Sequence, residues 1–286
     1  MGIQVTTDQK SLYPDLVFNY QEAVPDALIA NPLIATISGT IEGDKPYVRV
    51  PYIRTDPNAG YVKEGAEIPD GGGQLDEVLI ATGKIATIVK QSNESAKFST
   101  ASQLIAAGVS RAIATNANSA FLNNPKAASG TEQNGPVGLL NTDGMNQITV
   151  TDPTTLVDEI ANAKATIGTN GGNPTSIMVN YATESILRKL KDSEGHNLLI
   201  DPTKADALTI HGLPVIVDKA MPDNKLFVVA ANEIVAAAGS VALSVSQDAL
   251  FTADSLIRRA TWRIGAKAIH PERLAVITLG TTASDK

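Results

Sequence analysis

Residues 61–94, YVKEGAEIPDGGGQLDEVLIATGKIATIVKQSNE, constrain the fold of this chain more than any other stretch. The stretch opens with a charged turn, passes through a triple glycine at residues 71–73, and ends in a run rich in β-branched residues at 78–89. β-Branched residues favour strands, and adjacent glycines favour a flexible tip or hinge. The stretch holds no nucleophile, metal-ligand cluster or phosphate-binding loop. We therefore predict an extended hairpin arm that reaches for a neighbouring molecule.

The residues that precede this arm also have a strand-like pattern. Residues 36–58 predict a first pair of strands, because side chains alternate with a period of two through residues 47–53. Pro51 inside the run predicts an edge or irregular strand. Residues 1–35 are typical of an extended arm, with one short helix expected after Pro25.

The clearest helix in the sequence covers residues 99–122, with Ser99 or Thr100 able to cap it. At 1.5 Å per residue such a helix is about 33 Å long. It is poor in large side chains, so other elements can approach it closely. Its apolar stripe recurs at steps of four and consists of Ile105, Val109, Ile113, Ala117 and Phe121.

An α/β region follows a loop at residues 123–150. Amphipathic spacing and short apolar runs distinguish its helices from its strands. The pattern predicts helices at 155–167 and 183–190, and strands at 176–180, 213–217, 226–229, 241–245, 261–268 and 274–279.

Composition narrows the class of protein. The chain has 286 residues, of which 43% are hydrophobic and only 4% aromatic, so aliphatic side chains must fill its core. A net charge of −7 disfavours broad binding of nucleic acid, and the absence of cysteine excludes disulfides and thiolate metal sites. No signal peptide or membrane-spanning run is present, so we expect a soluble protein made in the cytoplasm.

Catalytic constellations are missing from the sequence. His196, His211 and His270 form no metal-binding pair, and packing in turns and loops is their expected role. The triple glycine leads through Gln74 into a strand, whereas a phosphate-binding loop opens a helix; the glycines at 168–172 fail the same test. Adjacent carboxylate pairs face apart and fit a solvated surface. The sequence thus predicts no catalytic, cofactor or metal site.

A basic cluster lies near the C-terminus. Arg259 and Arg263 are predicted on one face of a strand, with Trp262 on the other and Arg258 and Lys267 nearby. Such a face suits contact with a partner chain or with packaged nucleic acid. An exposed strand face without a partner fits the same pattern equally well.

Five segments of the chain, in the same order, resemble the major capsid proteins of tailed bacteriophages with the Hong Kong 97 fold. Each segment alone is weakly specific, but the five occur in the family's order, and the resemblance as a whole covers about residues 32–279. They are residues 61–94 with the ending Val89, Ser92 and Glu94, residues 134–141 (NGPVGLLN), residues 176–199 (SIMVNYATESILRKLKDSEGHNLL), residues 209–222 (TIHGLPVIVDKAMP) and residues 258–279 (RRATWRIGAKAIHPERLAVITL).

The resemblance implies an α+β architecture with four parts. These are an N-terminal arm (1–35), an extended β-hairpin loop (36–90), a peripheral domain with a long spine helix (91–135 and 251–286), and an axial α/β domain (136–250). It implies hexamers and pentamers that form an icosahedral shell around double-stranded DNA, which the shell contacts weakly and without specificity. Separate scaffolding, decoration and portal proteins are expected partners, with synthesis in the bacterial host cytoplasm and a final location in the virion.

The resemblance also implies which residues contact neighbouring subunits. The founding member links a loop lysine to a neighbour's asparagine with the help of a glutamate, but neither partner can be placed here, so we expect non-covalent assembly. Many members carry a scaffolding segment ahead of the arm; this chain starts near the arm, so scaffolding is separate, absent or already removed. The candidate contact residues are Lys63, Glu64, Gly71, Gly72, Gly73, Lys84, Arg258, Arg259 and Arg263.

Two other functions compete with this prediction. An encapsulin, a cellular compartment of the same fold, would bind the tail peptide of a cargo enzyme; it is expected to open with an amphipathic helix, which this chain lacks. An α/β hydrolase built on residues 150–250 would need a nucleophile and base that the sequence does not supply.

Overall fold

The computed structural model shows an α+β protein built from two sheets, a two-stranded ribbon and one long helix. It describes residues 16–18, 24–97, 99–129, 131, 133–191, 194–199 and 208–280.

The secondary structure of the described residues is dominated by strands. The strands are β1 (Leu16–Phe18), β2 (Thr36–Ile41), β3 (Tyr47–Thr55), β4 (Gln74–Ala81), β5 (Gly83–Ser92), β6 (Asn146–Val150), β7 (Ser176–Val179), β8 (Thr209–Ile210), β9 (Leu213–Val217), β10 (Lys225–Val229), β11 (Ile234–Gly239), β12 (Val241–Leu250), β13 (Ser255–Ala268) and β14 (Ala275–Leu279). The α-helices are α1 (Asn93–Ala96), α2 (Ser99–Asn123), α3 (Leu156–Thr169) and α4 (Tyr181–Arg188).

The first sheet is organised around β13, the longest strand. One edge of β13 pairs with β12 and then with β11, while the other edge pairs with β5 from Ser255 to Ile264. β1 extends the sheet beyond β12, and β2 pairs in parallel with β11. Helix α2 packs on β5 and β13, so the long helix lies against the longest antiparallel pair of this sheet.

The second sheet has the order β6-β14-β10-β7-β9-β8 and mixes parallel with antiparallel pairs. Its central strands are buried on both faces, which explains their continuous apolar runs. Helix α3 covers the sheet with a buried stripe at helical spacing, namely Leu156, Ile160, Ala163 and Ile167. Helix α4 begins at Tyr181 because the Asn180 side chain accepts a hydrogen bond from the Thr183 N–H (2.7 Å).

Sheet membership differs from the predicted domain boundaries at two places. The last strand, β14, was placed with the peripheral residues 251–286, yet it lies between β6 and β10 in the second sheet. Strands β11 and β12 were placed in the axial segment 136–250, yet they pair with β13 in the first sheet. Periodicity identifies a strand but not the strand it pairs with, so the sheet to which β11, β12 and β14 belong could not be predicted from the sequence.

The core joins both sheets and the long helix. Ile113, Ala117 and Phe121 of α2 are buried, as the predicted stripe requires. Trp262 is almost completely buried, and its indole N–H donates to the Gly239 carbonyl (2.8 Å). A buried Trp with its N–H satisfied fixes the sheet against the helix.

The segment from Val24 to Ala35 belongs to this core and is not a free arm. Leu28 and Ile29 are buried in a 3-10 turn, Leu28–Ala30, where a short helix was expected. The Leu28 N–H donates to the buried Asn118 side chain of α2 (2.8 Å). Buried apolar side chains thus dock this part of the arm predicted over residues 1–35 onto the core. Residues 1–15 and 19–23 of that arm lie outside the described residues.

Candidate assembly interface

A two-stranded ribbon projects from the first sheet. It consists of β3, β4 and the connecting residues 56–73, which we call the tip. β3 and β4 pair antiparallel from Tyr47↔Ala81 to Thr55↔Gln74. Nine residues at about 3.4 Å each make the paired part roughly 30 Å long.

The ribbon differs from the predicted hairpin in its return strand. Residues 78–89 were expected to form one strand. Instead β4 ends at Ala81, and after Thr82 a separate strand, β5, joins the first sheet beside β13. The predicted pair within residues 36–58 is likewise divided, since β2 pairs with β11 and only β3 enters the ribbon. Both breaks mark the place where the ribbon leaves the sheet, which we call the root.

Only the root end of the ribbon has a core. Val50, Val78 and Ile80 on one face are buried against Ile41 and Val235 of the first sheet. Farther along the same face, Tyr52 lies edge-on to the His270 ring, with centroids 5.6 Å apart. Beyond Tyr52 the ribbon contributes nothing to the buried clusters of the described residues, so its outer part has no apolar core within its own chain.

A glycine of β13 allows the root to sit directly on the sheet. A Cβ atom built on Gly265 would lie 2.4 Å from the Ala81 carbonyl oxygen and 2.9 Å from Ile80 Cγ2. Both distances are below the 3.0 Å that real Cβ atoms essentially never cross. The close backbone approach therefore requires glycine.

Polar contacts tie the root to the same strand. The Thr82 hydroxyl donates to the Lys45 carbonyl (2.6 Å) and accepts from Arg263 Nη1 (2.7 Å). Asp44 lies 3.4 Å from Arg263 Nε and 3.7 Å from Lys84 Nζ. Arg263 and Lys84, both predicted to contact neighbours, are thus brought together around Asp44 of their own chain.

Beneath Tyr52 lies a second polar cluster, mostly buried. Glu233 Oε2 accepts from His270 Nδ1 (2.7 Å), and its Oε1 accepts from Arg273 Nη1 (2.9 Å). Arg273 Nε also donates to the Asn170 carbonyl (2.8 Å). The cluster joins the two sheets below the ribbon, and His270 has the packing role that was predicted for it.

The outer face of the ribbon and its tip expose large apolar side chains. Ile53 and Leu75 are 50% and 82% exposed, and Ile68 is 79% exposed. Tyr61 is fully exposed. Clustered apolar side chains on an otherwise polar projection mark a contact surface.

The tip is acidic and closed at its base. It carries Asp56, Glu64, Glu67 and Asp70 against Lys63 alone, a net charge of −3. The Asn58 N–H donates to the Gly71 carbonyl (2.8 Å), and the Ala66 N–H donates to the Lys63 carbonyl (3.0 Å) in the apical turn.

The triple glycine, predicted as a flexible tip or hinge, lies at the base of the tip and not at its apex. Gly71, Gly72 and Gly73 lead back into β4, and Gly72 has a φ of +65° that favours glycine. Cβ atoms on Gly71 and Gly73 would approach Pro57 at 3.1 and 3.2 Å, so the two strands of the loop run close together there.

Arg258 and Arg259 lie away from the root, farther along β13. Arg258 Nε donates to Gln91 Oε1 of β5 (3.1 Å), and Arg259 Nη2 lies 3.4 Å from Ser244 Oγ of β12. The predicted contact residues thus fall at three separate places: the tip and its base, the root, and this outer part of the first sheet.

A cleft of about 370 Å³ opens beside the root. The sequence did not reveal it, because its walls come from the ribbon, β13 and the loop that follows α2. Apolar groups form most of the lining, with Lys126, Asp143 and Lys267 among the lining residues. The full lining is Leu79, Ala81, Lys126, Pro136, Val137, Asn141, Thr142, Asp143, Ala266 and Lys267.

Two of the lining residues form an ion pair. Lys126 Nζ donates to Asp143 Oδ2 at 2.7 Å. This hydrogen bond, with the attraction between the two charges, lowers the pKa of Asp143 and raises the pKa of Lys126. Both groups are exposed, so the pair orders the rim more than it stabilises the fold.

Within the described part of the chain, no cluster of three or more histidine or acidic side chains is placed to hold a metal ion. His211 Nε2 lies 3.0 Å from the Val157 carbonyl, and His196 lies on the surface 3.7 Å from Glu194. No helix among the same residues is long and apolar enough to cross a membrane.

Comparison with known proteins gives one family. The family model described as the phage capsid family matches residues 26–279. No curated protein matches the chain in sequence.

Solved structures share the fold at low identity. The capsid of a native GTA particle is 17% identical, with a TM-score of 0.64 over 86% of this chain and 89% of that one. A chain from Gordonia phage Cozz is 17% identical, with a TM-score of 0.65 over 89% and 87%. A chain from Mycobacterium phage Cain is 14% identical, with a TM-score of 0.64 over 99% and 100%.

Proposed function

The chain belongs to the phage capsid family, and from this premise we propose that its copies assemble as hexamers and pentamers into an icosahedral shell that encloses double-stranded DNA. The fold is the Hong Kong 97 capsid fold, and the chain is a structural subunit of the phage head, a major capsid protein. An encapsulin-type compartment, the second function that the sequence allowed, is not favoured by the family match.

One observation carries the proposal: the ribbon is packed at its root and bare beyond it. Val50, Val78 and Ile80 are buried, whereas no residue from 51 to 77 is buried on either face of the ribbon or in its tip. An isolated two-stranded hairpin is marginally stable in water. The outer ribbon is therefore expected to lie on a neighbouring subunit, and a contact between unlike surfaces closes into rings and shells.

The remaining expected properties are part of the same proposal. The shell has no catalytic activity, and it contacts packaged DNA weakly because the chain carries a net charge of −7. Separate scaffolding, decoration and portal proteins join it, and synthesis takes place in the host cytoplasm before the protein enters the virion.

Assembly is proposed to be non-covalent. Lys63 lies on the exposed apical turn, where it is available for contact with a neighbour. Lys84 lies 3.7 Å from Asp44 of its own chain, so this lysine has an ionic partner without any neighbour. Boiled samples of assembled protein should accordingly run as monomers in denaturing gels, and a ladder of linked subunits would contradict this part of the proposal.

The proposal is tested by shortening the ribbon without disturbing its root. The Asn58 N–H and the Gly71 carbonyl already hydrogen-bond across the loop, so residues 59–70 can be replaced by Asn-Gly, which favours a two-residue hairpin turn. The shortened protein should fold with an unchanged circular dichroism spectrum and fail to form shells in electron micrographs.

A matched control keeps the length of the tip and removes only its apolar side chains. The double variant Tyr61→Ser and Ile68→Ser should fold normally and assemble less well than the wild type, because both side chains are exposed in the single subunit. Normal shells from the shortened protein would refute the role given to the ribbon.

A further inference from the structure

We propose that the acidic tip of one copy docks in the cleft beside the root of a neighbouring copy. This inference rests on the proposed function and names the partner surface for its most exposed segment. Three features support it: the chemistry of the cleft, the chemistry of the tip, and the distance that separates the two within one chain.

The cleft fits a small apolar segment with acidic flanks. Its walls include Leu79, Pro136 and Val137, and its volume of about 370 Å³ suits one or two large side chains. Two lysines, Lys126 and Lys267, line it against a single carboxylate. The lining thus combines an apolar floor with a net positive charge.

The tip has the complementary chemistry. Tyr61 and Ile68, both exposed, flank the turn that the Lys63 carbonyl closes with the Ala66 N–H. The tip as a whole carries a net charge of −3. Two apolar anchors beside a turn, surrounded by carboxylates, match a cleft with an apolar floor and lysines in its lining.

The tip that fills the cleft must come from another copy. Leu79 is a wall of the cleft and also a member of β4, five residues from Gln74, where the paired strand begins. At about 3.4 Å per residue the ladder holds its own tip roughly 17 Å from that wall. Because donor and acceptor surfaces differ, the contact is heterologous and propagates from copy to copy.

Cross-linking between two sets of subunits tests the proposal, and the natural chain contains no cysteine. One set carries Ile68→Cys at the tip, and the other carries Thr142→Cys in the cleft. The two are mixed before assembly and treated with a short bismaleimide reagent. The matched control replaces the cleft variant with Ala165→Cys, on the exposed side of α3.

We expect a product of twice the subunit mass from the tip and cleft variants, and none from the tip and control variants. Shells that form without the tip–cleft product, or with equal product from the control, overturn this inference while leaving the proposed function intact. A wild-type protein that forms no assembly at any concentration overturns the proposed function and the inference together.

Charge reversal supplies an independent measurement. Lys267→Glu should raise the concentration needed for assembly by about 1.5- to 5-fold, the range of one exposed ion pair. Adding Glu67→Lys to the same chain should recover part of that loss. An unchanged threshold in the single variant, or a further loss in the double variant, would contradict the docking of the acidic tip beside Lys267.

Discussion

The contact between Gly265 and the root of the ribbon gives a prediction that links one atom to assembly. Replacing Gly265 with alanine adds a single Cβ atom to β13, 2.4 Å from the Ala81 carbonyl oxygen. An ordinary contact begins near 3.4 Å, so the root must move away by about 1 Å. The backbone of both partners belongs to hydrogen-bonded strands, so neither can yield by a simple rotamer change.

The Gly265→Ala substitution has two expected effects: a loss of folding stability and a displacement of the tip. Overpacking of this kind lowers the free energy of unfolding by roughly 1–3 kcal/mol. The displacement is then amplified along the ribbon. If the strand pivots at the buried Val78, about 10 Å from Ala81, the far end of a 30 Å ribbon lies about 20 Å beyond the pivot, so a 1 Å lift moves it by roughly 2 Å. A fitted interface does not tolerate such a shift, so assembly should suffer more than folding.

Urea denaturation of the unassembled subunit, followed by circular dichroism, measures the first effect, and electron microscopy of assembly reactions measures the second. Gly168→Ala is the matched control, because Gly168 lies in α3 with nothing within 4 Å of an added Cβ atom. Alanine there should raise the free energy of unfolding by up to about 1 kcal/mol. If Gly265→Ala were as stable as the wild type and assembled normally, the close seating of the ribbon would be refuted.

Three further predictions concern single side chains. Asn118→Ala should lower the free energy of unfolding by about 1–3 kcal/mol in urea denaturation, because it leaves the buried Leu28 N–H without its acceptor; no change would contradict the docking of that segment. Trp262→Phe should lower the free energy of unfolding by about 2–3 kcal/mol, since it loses a buried hydrogen bond and leaves a void. Unfolding must be followed by circular dichroism, because Trp262 is the single tryptophan and the variant has no tryptophan fluorescence. The hydrogen bond and charge of Lys126 lower the pKa of Asp143 below 3.8, the ordinary value for an aspartate. The ion pair should therefore persist as the pH falls to 3.8 and be lost only below it. A titration midpoint of the Asp143 carboxyl at or above 3.8, measured by NMR, would contradict the pair.

Local patterns predicted much of the secondary structure. The long helix at 99–122 is confirmed as Ser99–Asn123, and the helix at 155–167 as Leu156–Thr169. Both have apolar stripes at helical spacing, a signal that depends only on nearby residues. The alternation predicted along β13 is local as well: Trp262 is buried, whereas Arg259 on the opposite face is exposed.

The pairing of strands was harder to predict, because it depends on residues far apart in the chain. The run at 78–89 looks continuous, yet Ala81 pairs with Tyr47 and Lys84 pairs with Arg263. The break follows from contacts made by Thr82 and from Gly265, neither of which has a local signature. Strands β6 and β11 were not predicted, since each gains its place from partners in a sheet.

The candidate interface was only partly visible in the sequence. The resemblance implied Lys63 and Glu64 as contact residues, and both lie exposed in the apical turn, so their role in contact stays a prediction. The cleft was missed because Leu79, Lys126 and Lys267 are distant in sequence and meet only after folding. Complementary surfaces on two copies cannot be recognised until both shapes are known.

Cryo-electron microscopy of the purified, concentrated protein, with and without scaffolding protein from the same phage, tests the central claim most directly. We predict closed shells built from hexamers and pentamers, with density for each ribbon lying on the adjacent subunit and its tip in that subunit's cleft. A protein that remains monomeric under every condition would contradict the account. Shells in which the ribbons contact only their own subunits would contradict the role of the ribbon.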